Sequence, residues 1–336
     1  MRNILITGGL GFIGSHTVVS LLENGFNPII IDNLSNSQLS VLEGIESITG
    51  SKPVFFNVDV NDKAEVNAIF QQYKIESVIH FAAYKAVGES VEFPLKYYKN
   101  NVGGLISLLE VMQSNACANI VFSSSCTVYG EPEILPVSEI SPIVKPNSPY
   151  GNTKKVCEEI LQDQKDFKVI SLRYFNPIGA HPSSLIGELP IGVPNNLVPF
   201  ITQTAIGIRE KLTVYGDNYS TPDGSCIRDY LHVCDLADAH VLAIKRLGEN
   251  EFGKSEGDFE IYNLGTGKGY SVLEVIKTFE EISGIKLNYE IGPRRMGDVE
   301  KVWANPEKAN EYLRWKTKRD LKEMIQSAWN WQKNLK

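Results

Sequence analysis

Short, continuous apolar runs alternate with helical patterns through the first half of the chain. Continuous runs are typical of strands buried on both faces, as in parallel sheets covered by helices on each side. We therefore predict an α/β fold that begins with a doubly wound parallel sheet of at least six strands. The predicted strands are residues 3–7, 28–32, 53–58, 77–82, 119–123 and 168–174, and the helical patterns include 12–24, 62–73 and 94–115.

The pattern changes in the second half. Residues 176–225 are rich in Pro, Gly and Asn, and they contain only a short helical stretch at about 197–210. We predict a Rossmann-type domain at residues 1–175 and a smaller, mixed α/β domain at residues 176–336. The helical pattern at 228–247 is expected to pack back on the first domain. A last amphipathic helix is predicted at 320–333.

A glycine-rich turn follows the first strand, in the sequence ILITGGLGFIG at residues 4–14. Gly8, Gly11 and Gly14 permit a tight turn, let the backbone approach a pyrophosphate and let the next helix pack close to the strand. The spacing is G-x-x-G-x-x-G, not the G-x-G-x-x-G of the commonest dehydrogenases. Taken alone, it fits a plain strand–helix turn as well as a dinucleotide site.

An acidic residue at the end of the second strand favours the dinucleotide site. Asp32 lies where a carboxylate accepts hydrogen bonds from the adenosine ribose hydroxyls. The same carboxylate would repel a 2′-phosphate, and residues 33–40 contain no Arg or Lys to hold one. NAD is therefore favoured over NADP. Asp59, after the third strand, is a candidate contact to the adenine.

Tyr150 and Lys154 form a Y-x-x-x-K pair at the start of a predicted helix. Their spacing places both on one helical face. A tyrosine pKa near 10 is too high for a base at neutral pH, and an adjacent ammonium together with a positive nicotinamide ring would lower it. The preceding strand ends in hydroxyl residues, so Ser125 and Thr127 are expected beside Tyr150 at the carboxyl edge of the sheet. These groups would manage the proton during hydride transfer.

Composition narrows the possible partners. A net charge of −7 argues against nucleic acid or an anionic membrane as the main partner. The five cysteines form no C-x-x-C, which argues against a metal site or a disulfide framework and favours a reducing compartment. No apolar run reaches the ~18 residues of a membrane span, and the first strand begins too early for a signal peptide. We expect a cytoplasmic protein.

Longer motifs from both halves extend this pattern. TGGLGFIGSH, HFAAYKAVGES, FSSSCTVYGE, SPYGNTK, LRYFNPIGAHP, RDYLHVCDLADAH, YNLGTGKGYSVLEV and PRRMGDV all occur in order. Together they resemble the UDP-glucose 4-epimerases, which are extended short-chain dehydrogenase/reductases, over nearly the whole chain. The resemblance implies an isomerase that interconverts UDP-galactose and UDP-glucose through a transient 4-keto sugar, with tightly bound NAD. It also implies a homodimer formed through helices of the first domain, such as the one at 94–115.

The resemblance also implies roles for individual residues. Tyr150 would be the base, Lys154 would lower its pKa and bind the nicotinamide ribose, and Ser125 would help carry the proton. The implied cofactor contacts are Gly8, Gly11, Phe12, Ile13, Asp32, Asn33, Asp59, Val60, Phe81, Ala82, Lys85, Asn100, Ser125, Tyr150, Lys154 and Phe175. The implied substrate contacts are Ser125, Thr127, Tyr150, Asn176, Asn196, Leu197, Tyr215, Arg228, Tyr230, Arg295 and Asp298.

Several alternatives stay open at this point. Val302 aligns with a residue that closes the sugar pocket in the family, so turnover of UDP-GlcNAc is a hypothesis. A UDP-uronate 4-epimerase is another, although it would need an extra cation for the sugar carboxylate. A 4,6-dehydratase is disfavoured because Cys126 and Thr127 replace the Asp–Glu pair that the elimination needs. A dinucleotide-sensing protein would be expected to lose Tyr150 or Lys154.

Overall fold

A computed structural model describes residues 1–249, 252–253, 257–295 and 298–335 of the chain. The first half alternates strands and helices, as the apolar runs predict. Its elements are β1 (Asn3–Thr7), α1 (Phe12–Glu23), β2 (Asn27–Ile31), α2 (Ser40–Thr49), β3 (Val54–Phe56), α3 (Lys63–Gln72), β4 (Ile75–His80), α4 (Val87–Glu92), α5 (Pro94–Tyr97), a π-helical turn (Tyr98–Val102), α6 (Gly103–Ser114), β5 (Asn119–Ser125), a 3₁₀ turn (Cys126–Tyr129), α7 (Pro149–Asp163) and β6 (Lys168–Tyr174).

The second half mixes shorter strands with helices. Its elements are β7 (Asn176–Ile178), α8 (Leu197–Ala205), β8 (Leu212–Tyr215), β9 (Ile227–His232), α9 (Val233–Leu247), β10 (Phe259–Leu264), β11 (Gly269–Ser271), α10 (Val272–Ser283), β12 (Tyr289–Gly292), β13 (Lys301–Val302), α11 (Glu307–Tyr312) and α12 (Leu321–Asn334). None of the helices in the described part of the chain is long and apolar enough to cross a membrane.

Seven parallel strands form the central sheet, in the order β10-β6-β5-β4-β1-β2-β3. The doubly wound α/β fold is confirmed. Successive residues of β1 enter different cores: Ile4 and Ile6 pack with α1 and α9 on one face, while Leu5 packs with α3, α6 and α7 on the other. This burial on both faces explains why the strands appear as continuous apolar runs. The strand order reverses between β1 and β4, where such sheets hold their ligands.

One strand of the central sheet comes from the second half. β10 pairs with β6 along its whole length, and α9, just before it, packs against α1. The apolar pattern did not predict β10, because Glu260 interrupts it. This buried carboxylate forms an ion pair with the Arg246 guanidinium, whose Nη2 lies 2.9 Å from Glu260 Oε1. The proposed division at residue 175 therefore separates regions that share one sheet.

Two helix predictions need correction. The pattern at 228–247 is helical only from Val233, because residues Ile227–His232 form β9 and pair with β7, β11 and β13. The helix predicted at 197–210 ends at Ala205. Gly207, with a φ of +83°, takes the left-handed conformation that stops it.

A smaller layered unit completes the second half. β7, β9, β11 and β13 form one sheet, and β8 pairs with β12. Helices α8, α10 and α12 cover a separate apolar core that includes Ile201, Phe279 and Trp329. The crevice between this unit and the carboxyl edge of the central sheet holds the candidate site.

Candidate active site

A cavity of about 570 Å³ lies along the carboxyl edge of the central sheet. Every residue predicted to contact the cofactor lines it, from the glycine turn to Phe175. Of the predicted substrate residues, Asn176 and Asn196 line it together with Ser125 and Tyr150. The loop at 187–196 closes the opposite side. The structure thus brings the predicted cofactor residues together in one crevice.

Bare backbone forms the floor of this crevice beneath the start of α1. A Cβ atom on Gly8, whose φ is +69°, would lie 2.9 Å from the Ala82 nitrogen. A Cβ on Gly14 would lie 2.3 Å from the Gly8 carbonyl oxygen. Gly11 is the N-cap residue of α1. The first helical turn, whose N–H groups have no partner within the helix, lines the cavity next to it. The arrangement fits the diphosphate of NAD.

Asp32 holds the glycine turn in place. Its Oδ2 accepts a hydrogen bond from the Leu10 N–H at 3.0 Å, and its Oδ1 accepts from the Ser37 hydroxyl at 2.7 Å and from the Leu34 N–H at 3.0 Å. The residue predicted to contact the ribose is thus a carboxylate whose position the surrounding residues set. Asp59 lies nearby: burial raises its pKa, but hydrogen bonds from Asn61 and Asn33 hold the pKa below its ordinary value.

Tyr150 occupies the first turn of α7. Ser148 caps this helix by accepting from the Gly151 N–H at 3.2 Å, and Pro149 begins it. The Ser125 hydroxyl lies close enough to the Tyr150 phenol to influence its pKa, and it also accepts a hydrogen bond from the Thr127 hydroxyl at 3.0 Å. Burial raises the pKa of Tyr150 to about 12, against the lowering effect of the Ser125 hydrogen bond. The protein's own groups therefore keep the phenol protonated at neutral pH.

Lys154 lies one turn further along α7 and is 3% exposed. Its Nζ donates to the Ser123 carbonyl oxygen at 2.5 Å and lies 4.9 Å from the centre of the Phe122 ring. Burial lowers the pKa of Lys154 to about 8, and the nearby Cys157 and Glu158 oppose that change. At neutral pH the residue is still an ammonium, in a poorly solvated position on the same helix as Tyr150.

The predicted substrate residues include a second cluster on β9 and the segment before β13. Asp298 Oδ1 lies 2.6 Å from Arg295 Nη2 and 3.8 Å from Arg228 Nη2. Arg295 also lies over the Tyr215 ring, 5.6 Å from its centre. The structure therefore brings together two arginines that are 67 positions apart in the sequence.

This arginine cluster adjoins the predicted catalytic residues through Cys126, which lies near both Arg228 and Tyr150. Burial raises the pKa of the Cys126 thiol, and Arg228 opposes the rise. Val302 pairs with Arg228 in the β9–β13 ladder and packs in a small apolar cluster with Phe175 and Tyr129. Two further predicted substrate residues lie elsewhere. Tyr230 is buried in β9, and this burial raises the pKa of its phenol. Leu197 is the first residue of α8.

Two residues that line or brace the crevice were missed by the sequence reasoning. Asn101 donates to the Tyr84 carbonyl oxygen at 3.0 Å and to Thr153 Oγ1 at 3.1 Å, so it ties the loop after β4 to α7. Its position beside Asn100 in the motif NNVGG was the available signal. Glu188 lines the cavity and contacts two predicted binding residues. No local motif marks it.

Metal chemistry has no obvious site in the described residues. They contain no group of three or more His, Cys, Asp or Glu side chains placed to hold a metal ion. The five cysteines are free thiols.

Comparison with known proteins agrees with this arrangement. A protein-family model described as GDP-mannose 4,6 dehydratase matches residues 5–328. The UDP-glucose 4-epimerase of Yersinia enterocolitica is 52% identical over 335 residues, which cover 98% of this chain and 97% of the relative. That of Bacillus subtilis is 49% identical over 333 residues, with 98% and 96% covered.

Solved structures show the same similarity. A crystal structure of UDP-glucose 4-epimerase from Bifidobacterium longum in complex with NAD+ and UDP has a TM-score of 0.95 at 44% identity, and 99% of each chain is covered. The UDP-Glc/GlcNAc 4-epimerase of Campylobacter jejuni has a TM-score of 0.83 at 37% identity, also with 99% of each chain covered. The chain therefore belongs to the GDP-mannose 4,6 dehydratase family and, within it, to the UDP-glucose 4-epimerases, which makes it an NAD-dependent isomerase.

Proposed function

We propose that Tyr150, Lys154 and Ser125 catalyse the interconversion of UDP-galactose and UDP-glucose in this chain. The observation that carries the assignment is the position of Tyr150, which is buried, close to Ser125 and one helical turn from Lys154 in the crevice that the glycine turn also lines. Tyr150 takes the proton from the sugar 4-hydroxyl. Ser125 and Thr127 form the short hydroxyl chain that orients the oxygen and passes the proton.

The elevated pKa of Tyr150 defines what the rest of the site must supply. Lowering a pKa from about 12 to about 7 requires about 7 kcal/mol, at ~1.4 kcal/mol per unit. A cation a few ångströms away contributes on the order of 4 kcal/mol at an effective dielectric constant near 20. The pKa of about 12 already applies with Lys154 in place, so the lowering must come from positive charge that a ligand brings. Bound NAD would supply such a charge at its nicotinamide ring, and it would also take up the hydride from the sugar and return it.

Arg228 and Arg295 bind the substrate diphosphate in this proposal. A guanidinium is planar and permanently charged, and it can bind two phosphate oxygens at once. Asp298 holds the two arginines side by side, which supports a joint role. The remaining proposed substrate contacts are Asn176, Asn196, Leu197, Tyr215 and Tyr230.

A homodimer is part of the proposal. Several apolar side chains on α4 to α6 and the turns between them face solvent, among them Val91, Phe93, Leu95 and Ile106. Leu95 is 81% exposed. An exposed apolar surface of this kind is typical of a contact between subunits, and it lies in the region through which the family resemblance places the dimer. The cytoplasm is the proposed compartment, since the cysteines are unpaired.

The direct test uses protein purified without added cofactor. Incubation with UDP-galactose should yield UDP-glucose, followed by chromatography, without external NAD. This result is expected because the cofactor ends each cycle unchanged and stays bound. Absence of conversion even with NAD supplied would contradict the proposal. The same assay with UDP-glucuronate would then test the uronate alternative.

A further inference from the structure

One carboxylate spans the crevice between a predicted cofactor residue and a predicted substrate residue. Glu188 Oε1 accepts a hydrogen bond from the Asn196 side-chain amide at 2.5 Å. The same oxygen lies 3.3 Å from the Lys85 ammonium. The Glu188 side chain is 11% exposed, whereas that of Lys85 is 51% exposed. All three residues line the cavity.

The backbone around Glu188 is firmly held. Its carbonyl oxygen accepts from the Trp331 indole N–H at 2.9 Å. Gly187 packs so closely on the same ring that a Cβ atom there would lie 2.5 Å from it. Trp331 belongs to α12, so the C-terminal helix sets the position from which the carboxylate reaches across the crevice. Glu188 is therefore placed by the fold rather than by a mobile side chain at the surface.

Glu188 is one of several carboxylates that line the crevice, and its side chain contacts predicted residues of both ligands. Taken alone, its charge would weaken the binding of both ligands by repulsion. Such a residue is understandable if its contacts to neighbouring side chains outweigh this cost. The two contacts that it makes are both to residues proposed to bind a ligand, and those residues belong to opposite sides of the crevice.

We propose that Glu188 is a positioning residue that couples the cofactor site to the substrate site. The inference rests on the proposed function of Lys85 and Asn196. Glu188 is already fixed, so a cofactor that orders the more exposed Lys85 steadies the ion pair, and the Asn196 amide on the same carboxylate oxygen is then held for the UDP-sugar. The second ligand has less conformational freedom to remove, which gives positive cooperativity. By reciprocity, a bound UDP group strengthens retention of NAD.

The test measures how UDP changes the exchange of bound NAD. Purified protein carrying NAD is diluted into an excess of isotope-labelled NAD, with or without saturating UDP, and the half-time of exchange is recorded. UDP should lengthen this half-time about 5-fold or more, at the low end of typical coupling factors. In Glu188→Gln, which keeps the shape and the contact to Asn196 but loses the ion pair to Lys85, the effect should fall below about 2-fold.

Glu89→Gln is the matched control. Glu89 also lines the cavity and pairs with a lysine, at 2.6 Å from Lys96, but it contacts neither Lys85 nor Asn196. This variant should keep the full UDP effect. If the UDP effect on NAD exchange also falls in Glu89→Gln, the general charge of the crevice explains the loss, and the coupling through Glu188 is refuted.

Further outcomes separate this inference from the proposed function. A parent protein that binds UDP and exchanges NAD with no effect of one on the other would overturn the coupling alone. Full coupling in Glu188→Gln would do the same. Failure of the parent to bind UDP at all would overturn the proposed function as well. Should Glu188→Gln fail to fold, Lys85→Met breaks the same pair from the other side and should also abolish the UDP effect.

Discussion

The cofactor side and the substrate side of the crevice are constructed differently. On the cofactor side, strand ends and a glycine turn present backbone, and Asp32 ties that turn to the loop after β2 by accepting from the Leu10 N–H, the Leu34 N–H and the Ser37 hydroxyl. On the substrate side, charged side chains from distant positions are held together by ion pairs around Asp298. The first construction is local in sequence and appears as a motif. The second exists only after the chain has folded.

This difference has a functional consequence. The cofactor stays through every cycle, whereas the sugar nucleotide enters and leaves. A rigid backbone cradle suits a resident ligand, because little is ordered on binding. On the proposed assignment, arginines that already have an internal carboxylate partner suit a ligand that must be released, because Asp298 can pair with them again when the diphosphate leaves.

The largest expected effect lies where the two sides meet. Tyr150→Phe removes the phenolic oxygen that handles the proton, and conversion of UDP-galactose should fall about 10³-fold or more. NAD content, measured after denaturation, should stay at the parental level, because the ring still fills its place. Tyr312→Phe, at an exposed tyrosine, is the control. Activity within about 10-fold of the parent would remove Tyr150 from its proposed role.

Gly14→Ala should impair NAD binding on the cofactor side of the crevice. The added methyl would lie 2.3 Å from the Gly8 carbonyl oxygen, so the turn must shift. We expect NAD retention through gel filtration to drop about 10-fold and stability to fall by about 1–3 kcal/mol, as for other overpacked sites. UDP affinity should change less.

Gly88→Ala provides the comparison for that variant, because a Cβ at Gly88 would meet no atom within 4 Å. It should behave like the parent in both measurements. Undiminished NAD content in Gly14→Ala would show that the close approach of the glycine turn does not matter.

Arg295→Met should impair substrate binding on the substrate side of the crevice. Loss of one charge-assisted phosphate contact should raise KM for UDP-galactose about 10- to 100-fold, with kcat and NAD content much less affected. Steady-state kinetics on the purified protein measure this. The neighbouring Arg294 pairs with Asn218 instead of Asp298, so Arg294→Met should have a smaller effect. Equal effects of the two variants would contradict the pairing argument.

The smallest expected effect concerns Val302 and the choice between sugars. Val302 is 6% exposed and packs with Phe175, which lines the cavity, and the family resemblance places it at the sugar pocket, where a larger side chain would leave less space. If valine leaves room for an acetamido group, the parent should convert UDP-GlcNAc measurably. Val302→Tyr should abolish that activity while keeping UDP-galactose turnover within about 3-fold. No UDP-GlcNAc conversion by the parent would end the hypothesis.

Much of the fold and of the cofactor side could be predicted from the sequence, because local patterns encode them. Buried parallel strands appear as apolar runs, and Gly14, Asp32 and the Tyr150–Lys154 pair lie at fixed offsets from those strands. β10 escaped prediction because a buried ion pair, Glu260 with Arg246, interrupts its pattern. β10 is a strand because it pairs with β6, which is distant from it in the chain.

The rest of the site could not be derived from local patterns for the same reason. Arg228 and Arg295 have no short-range relationship, and only the resemblance to a family suggested a joint role. Glu188 lies in a Pro- and Gly-rich loop with no periodicity, and its function depends on Trp331 fixing its backbone. Side chains that act through tertiary contacts leave no signal at a fixed spacing.

The seventh strand has a consequence for how the chain folds. β10 covers the edge of β6, and α9 buries the face of α1. A fragment ending at residue 175 would leave that edge open, and an unpaired parallel strand is a template for aggregation. We therefore expect the central sheet to be completed only once β10 has paired with β6. In a denaturation experiment, the sheet and this segment of the second half should then unfold together.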